Sequence, residues 1–304
     1  MAETHRLIVV GAGPAGLTAA IYAGRAGVNA LVLEQLGAGG QVTQTVEIEN
    51  YPGFAKVDGQ ELAARMREQA EKCGATIKRA SVKGLRRENG LWIVETARGE
   101  FAAESVIAAT GARRRHLEVP GETEYTGAGV SYCATCDGMF FRGKKVAVVG
   151  GGSVAFEDAL YLSRICEHVT LIHRRDGFRA EPTLVERVRA AENIDMKLFY
   201  TVAEIRGENG LVSEIELAST RDGSRETLEV GGVFVAVGTL PETEWLSGHA
   251  PLDDGGYVDV DERCAVGDGL FVAGDCRRKP IYQIVTACAD GAVSANAACA
   301  YLEK

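Results

Sequence analysis

The residues Arg6-Leu-Ile-Val-Val-Gly-Ala-Gly-Pro-Ala-Gly16 decide the fold, because a short apolar run leads directly into a glycine-rich turn. The run is rich in β-branched residues and predicts a buried parallel strand that ends at Gly11. Gly11, Gly13 and Gly16 have the spacing of a dinucleotide fingerprint, which needs a tight turn, a close backbone approach and close helix packing. The spacing predicts a helix from about Pro14, and its N-terminus would hold a pyrophosphate.

The next strand predicts which ribose this unit binds. Ala30-Leu-Val-Leu33 is an apolar run that ends at Glu34. A carboxylate at this position accepts hydrogen bonds from both ribose hydroxyls and repels a 2′-phosphate. The first unit is therefore predicted to bind a dinucleotide without that phosphate, FAD or NAD.

The same pattern occurs a second time, with a different ending. Lys145-Val-Ala-Val-Val149 predicts a strand, Gly150-Gly-Gly-Ser-Val-Ala155 the turn, and the residues from Ala155 onward the helix. The following strand, Val169-Thr-Leu-Ile172, leads into His173-Arg174-Arg175, with Arg179 close behind. Guanidinium groups bind a 2′-phosphate in bidentate fashion, so the second unit is predicted to bind NADPH. The alternative is that His173-Arg174-Arg175 is a solvated charged loop that binds no cofactor.

Cys133-Ala-Thr-Cys136 lies between the two fingerprints and is the one C-x-x-C pair among eight cysteines. A dithiol and its disulfide differ by two electrons, so the order of motifs indicates a thiol-disulfide reductase. A zinc site would need a second pair of Cys or His ligands, and the sequence has none at paired spacing. The six other cysteines stand singly and are predicted to be small buried hydrophobes, although Cys276, after Gly274-Asp275, is less certain.

Composition limits the possible classes of protein. The chain has 304 residues, 46% of them hydrophobic, and a formal net charge of -9. Length and composition predict a globular protein of about two domains. The negative charge and the lack of a basic stripe argue against a nucleic-acid partner. No apolar run approaches the roughly 20 residues that span a bilayer, and no signal-peptide pattern precedes the first strand, so no membrane and a cytoplasmic location are expected.

Several loops have the composition of a flavin site. Ile107-Ala-Ala-Thr110-Gly111 and Leu270-Phe-Val-Ala-Gly274-Asp275 are apolar strands that end in small polar turns, where a ligand can approach the backbone. Gly39-Gly40-Gln41 and Glu49-Asn50-Tyr-Pro-Gly53 form a connection rich in glycine and amide groups. Each could be an ordinary loop by itself. Asp275 would be placed to hold ribityl or pyrophosphate oxygens.

These motifs together resemble the low-molecular-weight thioredoxin reductases over essentially the whole chain. The strings Cys133-Ala-Thr-Cys-Asp-Gly138 and His173-Arg-Arg-Asp-Gly-Phe-Arg-Ala180 are the most specific. The resemblance implies an α/β fold class with two Rossmann-like, three-layer ββα dinucleotide-binding domains. An NADPH-binding domain with the C-x-x-C, residues 114–242, would be inserted into a discontinuous FAD-binding domain, residues 1–113 and 243–304. It also implies a homodimer.

Motifs and resemblance together give a set of cofactor-binding residues. For FAD these are Gly11, Gly13, Pro14, Ala15, Gly16, Glu34, Gln35, Gly40, Gln41, Thr45, Asn50, Val82, Thr110, Gly111, Gly274, Asp275, Tyr282, Gln283 and Ile284. For NADPH they are Gly152, Ser153, Val154, His173, Arg174, Arg175 and Arg179.

The resemblance also implies a reaction, in which electrons pass from NADPH through FAD and the Cys133–Cys136 disulfide to oxidised thioredoxin. Cys136 would be nearest the flavin, and Cys133 would attack the partner's disulfide as a thiolate. Asp137 would act as acid and base, unless it is only a helix-capping carboxylate. Because one pair of cysteines cannot contact the flavin and a protein partner together, the resemblance implies rotation of one domain against the other.

The chain also departs from the family pattern. Many members have an Arg-Gln pair at the start of the last helix, whereas this chain has Tyr282-Gln283, and Phe156 lies inside the second nucleotide helix. A phenol would cover or stack on the flavin, or simply pack at the helix start. The exposed cations Arg142, Lys144 and Lys145 are candidate partner contacts, with ordinary solvation as the alternative.

Other functions of the same architecture remain open from the sequence. A dithiol oxidase that uses oxygen, or a reductase that uses ferredoxin, would have little use for Arg174 and Arg175. A reductase that uses NADH would leave those arginines as a solvated loop. A flavin-loaded redox sensor would switch a surface with its disulfide and would not turn over.

Overall fold

The structure is a computed structural model, and it describes residues 3–45 and 47–304. The chain divides into two compact units, one formed by Met1–Arg113 and Leu240–Lys304 and the other by Arg114–Thr239. The second boundary was predicted between residues 242 and 243, whereas the division into compact units falls between 239 and 240.

The described residues form strands and helices in an order that mixes helical crossovers with runs of consecutive strands. The strands are β1 (Glu3–Val10), β2 (Ala30–Glu34), β3 (Thr76–Arg79), β4 (Val82–Glu88), β5 (Leu91–Thr96), β6 (Gly99–Ala108), β7 (Ala112–Arg114), β8 (Val130–Ser131), β9 (Lys145–Val149), β10 (His168–His173), β11 (Ile194–Leu198), β12 (Tyr200–Glu208), β13 (Leu211–Ser219), β14 (Arg225–Glu229), β15 (Gly232–Val235), β16 (Thr239–Pro241), β17 (Ala265–Gly267) and β18 (Leu270–Val272). The α-helices are α1 (Pro14–Arg25), α2 (Gly59–Lys72), α3 (Ala134–Asp137), α4 (Ser153–Leu162), α5 (Pro182–Ala190) and α6 (Ile284–Leu302). Short 3₁₀ helices cover Gly40–Gln44, Gly138–Phe141, Glu244–Leu246 and Gly274–Cys276.

The first unit is built on an eight-stranded sheet with the order β17-β18-β6-β1-β2-β3, and β5 and β4 continue from β6 as an antiparallel hairpin. The strands β18, β6, β1, β2 and β3 run parallel. Alternate side chains of β1 enter opposite cores: Leu7 and Val9 pack with α1, α2 and α6, whereas Ile8 and Val10 pack with the β4-β5 hairpin. The sheet is therefore the middle of three layers.

The second unit repeats this arrangement on a smaller sheet. Its five strands have the order β11-β10-β9-β15-β8 and are all parallel. Val146 and Val148 pack with α4 and α5, whereas Ala147 and Val149 pack with the antiparallel sheet β12-β13-β14. Two Rossmann-like, three-layer units in an α/β protein confirm the predicted fold class.

The predicted elements are present, although several ends differ: β1 begins at Glu3 and not at Arg6, and β10 covers His168–His173 and not Val169–Ile172. Helix α1 begins at Pro14, as predicted, and β9 covers the predicted five residues. Helix α4 begins at Ser153 and not at Ala155, because the carbonyl of its N-cap Gly152 already accepts a hydrogen bond from Ala155 N at 3.0 Å.

The single cysteines only partly follow the prediction of burial. Cys166, Cys264, Cys276 and Cys299 are buried. Cys73 and Cys288 are half-buried, so the prediction was wrong for these two. The reason for Cys73 is its position as C-cap of α2, at the end of a helix whose opposite face is charged. None of the helices formed by residues 3–45 and 47–304 combines the length and apolar character needed to span a bilayer.

Candidate active site

The turn between β1 and α1 leaves room for a phosphate. A Cβ on Gly11, whose φ is +104°, would lie 2.3 Å from the carbonyl oxygen of Ala109, and one on Gly16 would lie 1.9 Å from that of Gly11. Only glycine fits at these two positions. Nothing lies within 4 Å of the corresponding position on Gly13, and no side chain caps α1. The first N–H groups of α1 therefore face open space, as pyrophosphate binding requires.

The carboxylate of Glu34 is held in place at the end of β2. Its Oε2 accepts a hydrogen bond from Ala12 N, and its Oε1 accepts one from Leu36 N, both at 2.8 Å. A carboxylate has about four lone-pair positions, so each oxygen can still accept a ribose hydroxyl. Gln35 is exposed beside it.

Four separate segments of the predicted flavin site lie together in the first unit. The amide Nε2 of Gln41 donates to the carbonyl oxygen of Ala112, and Asn50 Nδ2 donates to Gln283 Oε1 at 3.1 Å. Thr110 Oγ1 donates to the Glu242 carbonyl at 2.6 Å. These bonds connect positions far apart in the chain and leave a lining of amide and hydroxyl groups.

The other residues predicted for this site occupy turns and element ends of the same unit. Pro14 and Ala15 open α1, Val82 opens β4 and Ile284 opens α6. Thr45 follows the 3₁₀ helix that begins at Gly40. The remaining residues, Gly111 and Gly274, have positive φ values of +72° and +81° in the turns after β6 and β18.

Asp275 stands beside a buried ionic cluster that sequence reasoning missed. Its Oδ1 is buried and lies 3.0 Å from Lys279 Nζ, at an angle that leaves it without a hydrogen bond. Lys279 Nζ also lies 3.1 Å from Asp290 Oδ2, and Arg277 Nη1 lies 2.7 Å from Asp290 Oδ1. Asp290 Oδ2 further accepts a hydrogen bond from Gly274 N. A charged residue at a core position of α6 was the signal in the sequence, but its partners become visible only in the fold.

Tyr282 lies just before α6 and is partly exposed. Its ring centroid is 5.7 Å from that of Tyr257, and Lys279 Nζ lies 5.6 Å from its centroid. Burial raises the pKa of Tyr282 to about 12, so the phenol is neutral at physiological pH. Phe156, the other departure from the family pattern, is fully buried and packs edge-on against Phe178, so it is a core residue.

The glycine turn of the second unit is equally open. Nothing lies within 4 Å of the Cβ position of Gly152, and no side chain caps α4. Ser153 and Val154 form the first residues of α4, and Val154 is exposed. The turn therefore has the geometry of a second phosphate site.

The segment from His173 to Arg179 folds against this turn. The His173 ring occupies the space where a Cβ on Gly151 would stand, and Arg179 N donates to the Gly151 carbonyl at 2.9 Å. Burial, assisted by the neighbouring arginines, lowers the pKa of His173. Arg174, Arg175 and Arg179 are exposed, and none has a carboxylate partner within the part of the chain that the structure describes. Three unpaired guanidinium groups at this position fit a phosphorylated ribose.

Cys133 and Cys136 form a disulfide at the start of α3, with 5.3 Å between their Cα atoms. Asp137, the next residue, accepts a hydrogen bond at its Oδ2 from Ser131 Oγ at 2.6 Å. Asp137 makes no side-chain capping bond, so the alternative of a simple helix cap does not describe it. Its partial burial raises the pKa of the carboxyl group, although Ser131 and Arg114 oppose this shift.

The surface after the disulfide is apolar and basic. Met139 and Phe140 are about half exposed, and Arg142, Lys144 and Lys145 are exposed beyond them. Over residues 3–45 and 47–304, no His, Cys, Asp and Glu side chains are grouped in a way that would hold a metal ion.

Known proteins are similar to this chain in sequence and in fold. Residues 5–291 match the family described as pyridine nucleotide-disulphide oxidoreductase. A thioredoxin reductase of Bacillus subtilis (strain 168) is 40% identical over 303 residues, 99% of this chain and 96% of that protein. One of Treponema pallidum (strain Nichols) is 41% identical over 305 residues, 100% of this chain and 99% of that protein. The crystal structure of a thioredoxin reductase from Streptococcus pyogenes MGAS5005 is 38% identical, with a TM-score of 0.94, and covers 100% of this chain and 99% of that one.

Proposed function

This chain belongs to the pyridine nucleotide-disulphide oxidoreductase family, and from that membership we propose that it catalyses the NADPH-dependent reduction of oxidised thioredoxin. The single observation that carries the proposal is the Cys133–Cys136 disulfide, which is followed directly in the chain by Asp137, whose carboxyl group is partly buried. A disulfide with an adjacent proton donor is what thiol-disulfide exchange needs.

We assign FAD to the first unit and NADPH to the second. Glu34 supports the first assignment, because its carboxylate accepts ribose hydroxyls and would repel a 2′-phosphate. Arg174, Arg175 and Arg179 support the second assignment, because they offer cationic donors where Glu34 stands in the first unit. When bound, NADPH would supply a hydride, and FAD would carry its two electrons to the disulfide.

The chain's own residues carry out the exchange with thioredoxin. Once the disulfide is reduced, the carboxylate of Asp137 accepts the proton of a cysteine thiol. The Cys133 thiolate attacks one sulfur of the thioredoxin disulfide, forms a mixed disulfide and displaces a thiolate. The Asp137 carboxylic acid returns its proton to that thiolate. The Cys136 thiolate then attacks Cys133, the Cys133–Cys136 disulfide re-forms, and thioredoxin leaves as the dithiol after taking up the remaining proton.

Turnover also requires that the disulfide exchange electrons with the flavin and with a protein at different times. We propose that the unit Arg114–Thr239 moves against the unit formed by Met1–Arg113 and Leu240–Lys304 between these half-reactions. Chemical cross-links between the units should stop turnover and leave cofactor binding intact. Turnover that continues at the original rate would contradict this motion.

The assembly and location follow the same proposal. We expect a homodimer, which sedimentation of the purified protein will test. We also place the enzyme in the cytoplasm, because a reductant for thioredoxin works in a reducing compartment and the six other cysteines are unpaired.

An anaerobic titration followed by turnover tests the proposed function. Flavin absorbance should bleach with near-stoichiometric NADPH, and the protein should then reduce oxidised thioredoxin repeatedly. Cys133→Ser and Cys136→Ser should abolish turnover but keep bound flavin, whereas Cys73→Ser, which changes a half-buried cysteine of the other unit, should retain activity. Bleaching by NADH alone would contradict the cofactor assignment. Bleaching by neither would favour a ferredoxin-linked reductase or a dithiol oxidase.

A further inference from the structure

Ser131, in strand β8, is hydrogen-bonded to both Cys133 and Asp137, which lie at the two ends of the segment that carries the disulfide. It is the last residue of β8, the strand at one edge of the parallel sheet, where it is in register with Phe234 of β15. Its side chain is buried, with 4% of the residue exposed. The pairing of β8 with β15 places the backbone of Ser131 at the edge of the sheet, two residues before Cys133.

The hydroxyl of Ser131 makes two hydrogen bonds at once. Its Oγ donates to Oδ2 of Asp137 at 2.6 Å and accepts from the backbone N–H of Cys133 at 3.1 Å. A hydroxyl group has one proton, so donation to the carboxylate and acceptance from the N–H use both of its roles. The bond to Asp137 has the length of a charge-assisted O–H···O⁻ bond.

We propose that Ser131 is a positioning residue, which orients the Asp137 carboxylate beside Cys133 and Cys136 and favours the ionised form of that group. The proposal rests on the proposed acid and base role of Asp137 in thioredoxin reduction. Ser131 itself does not touch the substrate or give up its proton. It acts through Asp137.

The groups around Asp137 act in opposite directions on its protonation, so the hydrogen bond from Ser131 affects the balance between the acid and the carboxylate. Burial raises the pKa of Asp137, and the bond from Ser131, followed by the charge of Arg114, lowers it. Helix α4, which packs against α3, brings the ring of Tyr161 next to Gly138 and also carries Asp158. Among the described residues, Ser131 therefore supplies a direct hydrogen bond that favours the ionised form of the partly buried Asp137 carboxyl group.

Ser131 can remain bonded through a proton transfer. When Asp137 takes a proton from a cysteine thiol, the resulting carboxylic O–H can donate to Ser131 Oγ. The Ser131 hydroxyl can then turn towards the carbonyl oxygen of Cys133, 3.4 Å away. When the proton passes to the displaced thiolate of the substrate, the first arrangement returns. No proton is gained or lost by Ser131 over the cycle.

The test measures the pKa of Asp137 directly, by carboxyl ¹³C NMR of protein labelled at aspartate, with the signal identified by its absence in Asp137→Asn. Ser131→Ala should raise this pKa by about one unit, since a hydrogen bond to a charged group is lost. Ser131→Thr should keep it near the original value, whereas Ser131→Val, which matches threonine in shape, should raise it. The threonine and valine pair keeps the test decisive if the alanine variant folds poorly. An unchanged pKa in Ser131→Ala and Ser131→Val would overturn the proposal.

A second measurement separates this proposal from the proposed function. In thioredoxin reduction, Ser131→Ala should lower kcat about 10-fold and leave KM for thioredoxin unchanged. The pH at which kcat falls on the alkaline side should rise by about one unit, and this fall is the alkaline limb of the pH profile. Ser105→Ala removes another buried hydroxyl, which donates to the Gly269 carbonyl in the other unit, and should not move that limb. A shifted Asp137 pKa with an unmoved profile would support Ser131 as the positioning residue and overturn the acid and base role of Asp137. An equal shift in Ser105→Ala would overturn the inference about Ser131.

Discussion

The Nζ atom of Lys279 lies 3.1 Å from Oδ2 of Asp290, and the two side chains are only 5% and 11% exposed. The pair joins the turn after β18 to the interior of α6. Asp290 also accepts a hydrogen bond from the backbone N–H of Gly274, directly before Asp275. The shape of the turn that carries Asp275 therefore depends on a buried ion pair, and a buried charge without its partner is costly.

Lys279→Met should destabilise the first unit strongly, because it leaves Asp290 and Asp275 with one cation fewer in a buried place. The expected loss is about 3–5 kcal/mol of unfolding free energy, together with loss of bound FAD. Chemical denaturation and the flavin content of the purified protein measure both effects. Lys72→Met, which removes an exposed partner of Glu68, is the control and should change neither. Equal stability of the two variants would contradict the structural role of the buried pair.

Gly13→Val and Gly152→Val should each affect one cofactor and leave the fold intact. No protein atom lies within 4 Å of a Cβ at either position, so the added side chain would extend into the space expected for a phosphate. Gly13→Val should lose FAD, whereas Gly152→Val should retain FAD and raise the KM for NADPH at least about 10-fold. Each variant is the control for the other. Unchanged thermal unfolding of the cofactor-free proteins checks that the fold is preserved, and exchanged effects would contradict the cofactor assignment.

Arg174→Ala and Arg175→Ala should raise the KM for NADPH and leave that for NADH unchanged. The 2′-phosphate is the only difference between the two nucleotides, and losing a charged hydrogen bond to it should cost about 10- to 100-fold in KM. Steady-state rates with both nucleotides give the ratio. Arg187→Ala, on the exposed face of α5 in the same unit, should leave the ratio unchanged. A uniform loss with both nucleotides would mean that the arginines do not select the phosphate.

Asp158→Asn should stabilise the protein at alkaline pH. Burial, with a smaller contribution from Glu157, raises the pKa of Asp158 to about 7. The folded state thus holds a proton that the unfolded state releases, and stability falls as pH rises from about 4 through about 7. The gain in unfolding free energy from the substitution should therefore grow by about 3 kcal/mol between about pH 5 and about pH 8. Denaturant titrations at several pH values measure it. Glu186→Gln, on the exposed face of α5, should show no such dependence of stability on pH.

The two glycine turns, after β1 and after β9, were predictable because they depend on local chemistry. Glycine spacing at Gly11, Gly13 and Gly16 and the apolar runs before and after it act over a few residues, so their pattern is visible in the sequence. The contrast between Glu34 and the group Arg174-Arg175 was visible for the same reason, since Glu34 is the last residue of β2 and the arginines follow directly on β10. The start of α4 was misplaced by two residues because Gly152, with no side chain, serves as its N-cap.

The contacts of Lys279, Asp290 and Ser131 were not predictable, because each depends on segments brought together by the sheets. Ser131 and Asp137 are close in sequence, yet their hydrogen bond requires that β8 enters the parallel sheet and then turns into α3. The place of Phe156 was also undecided until its packing against Phe178 showed that it faces the core.

The sequence by itself determined the two Rossmann-like units, the places of the two glycine turns expected to bind phosphate and the position of the redox pair, because glycine spacing and the apolar pattern of strands are local properties. The tertiary structure alone decided that Asp137 is bonded to Ser131 rather than capping a helix, and that Lys279 and Asp290 stand behind Asp275. Burial and hydrogen-bond partners are set by the packing of distant segments, and the energy of a charged group depends on both.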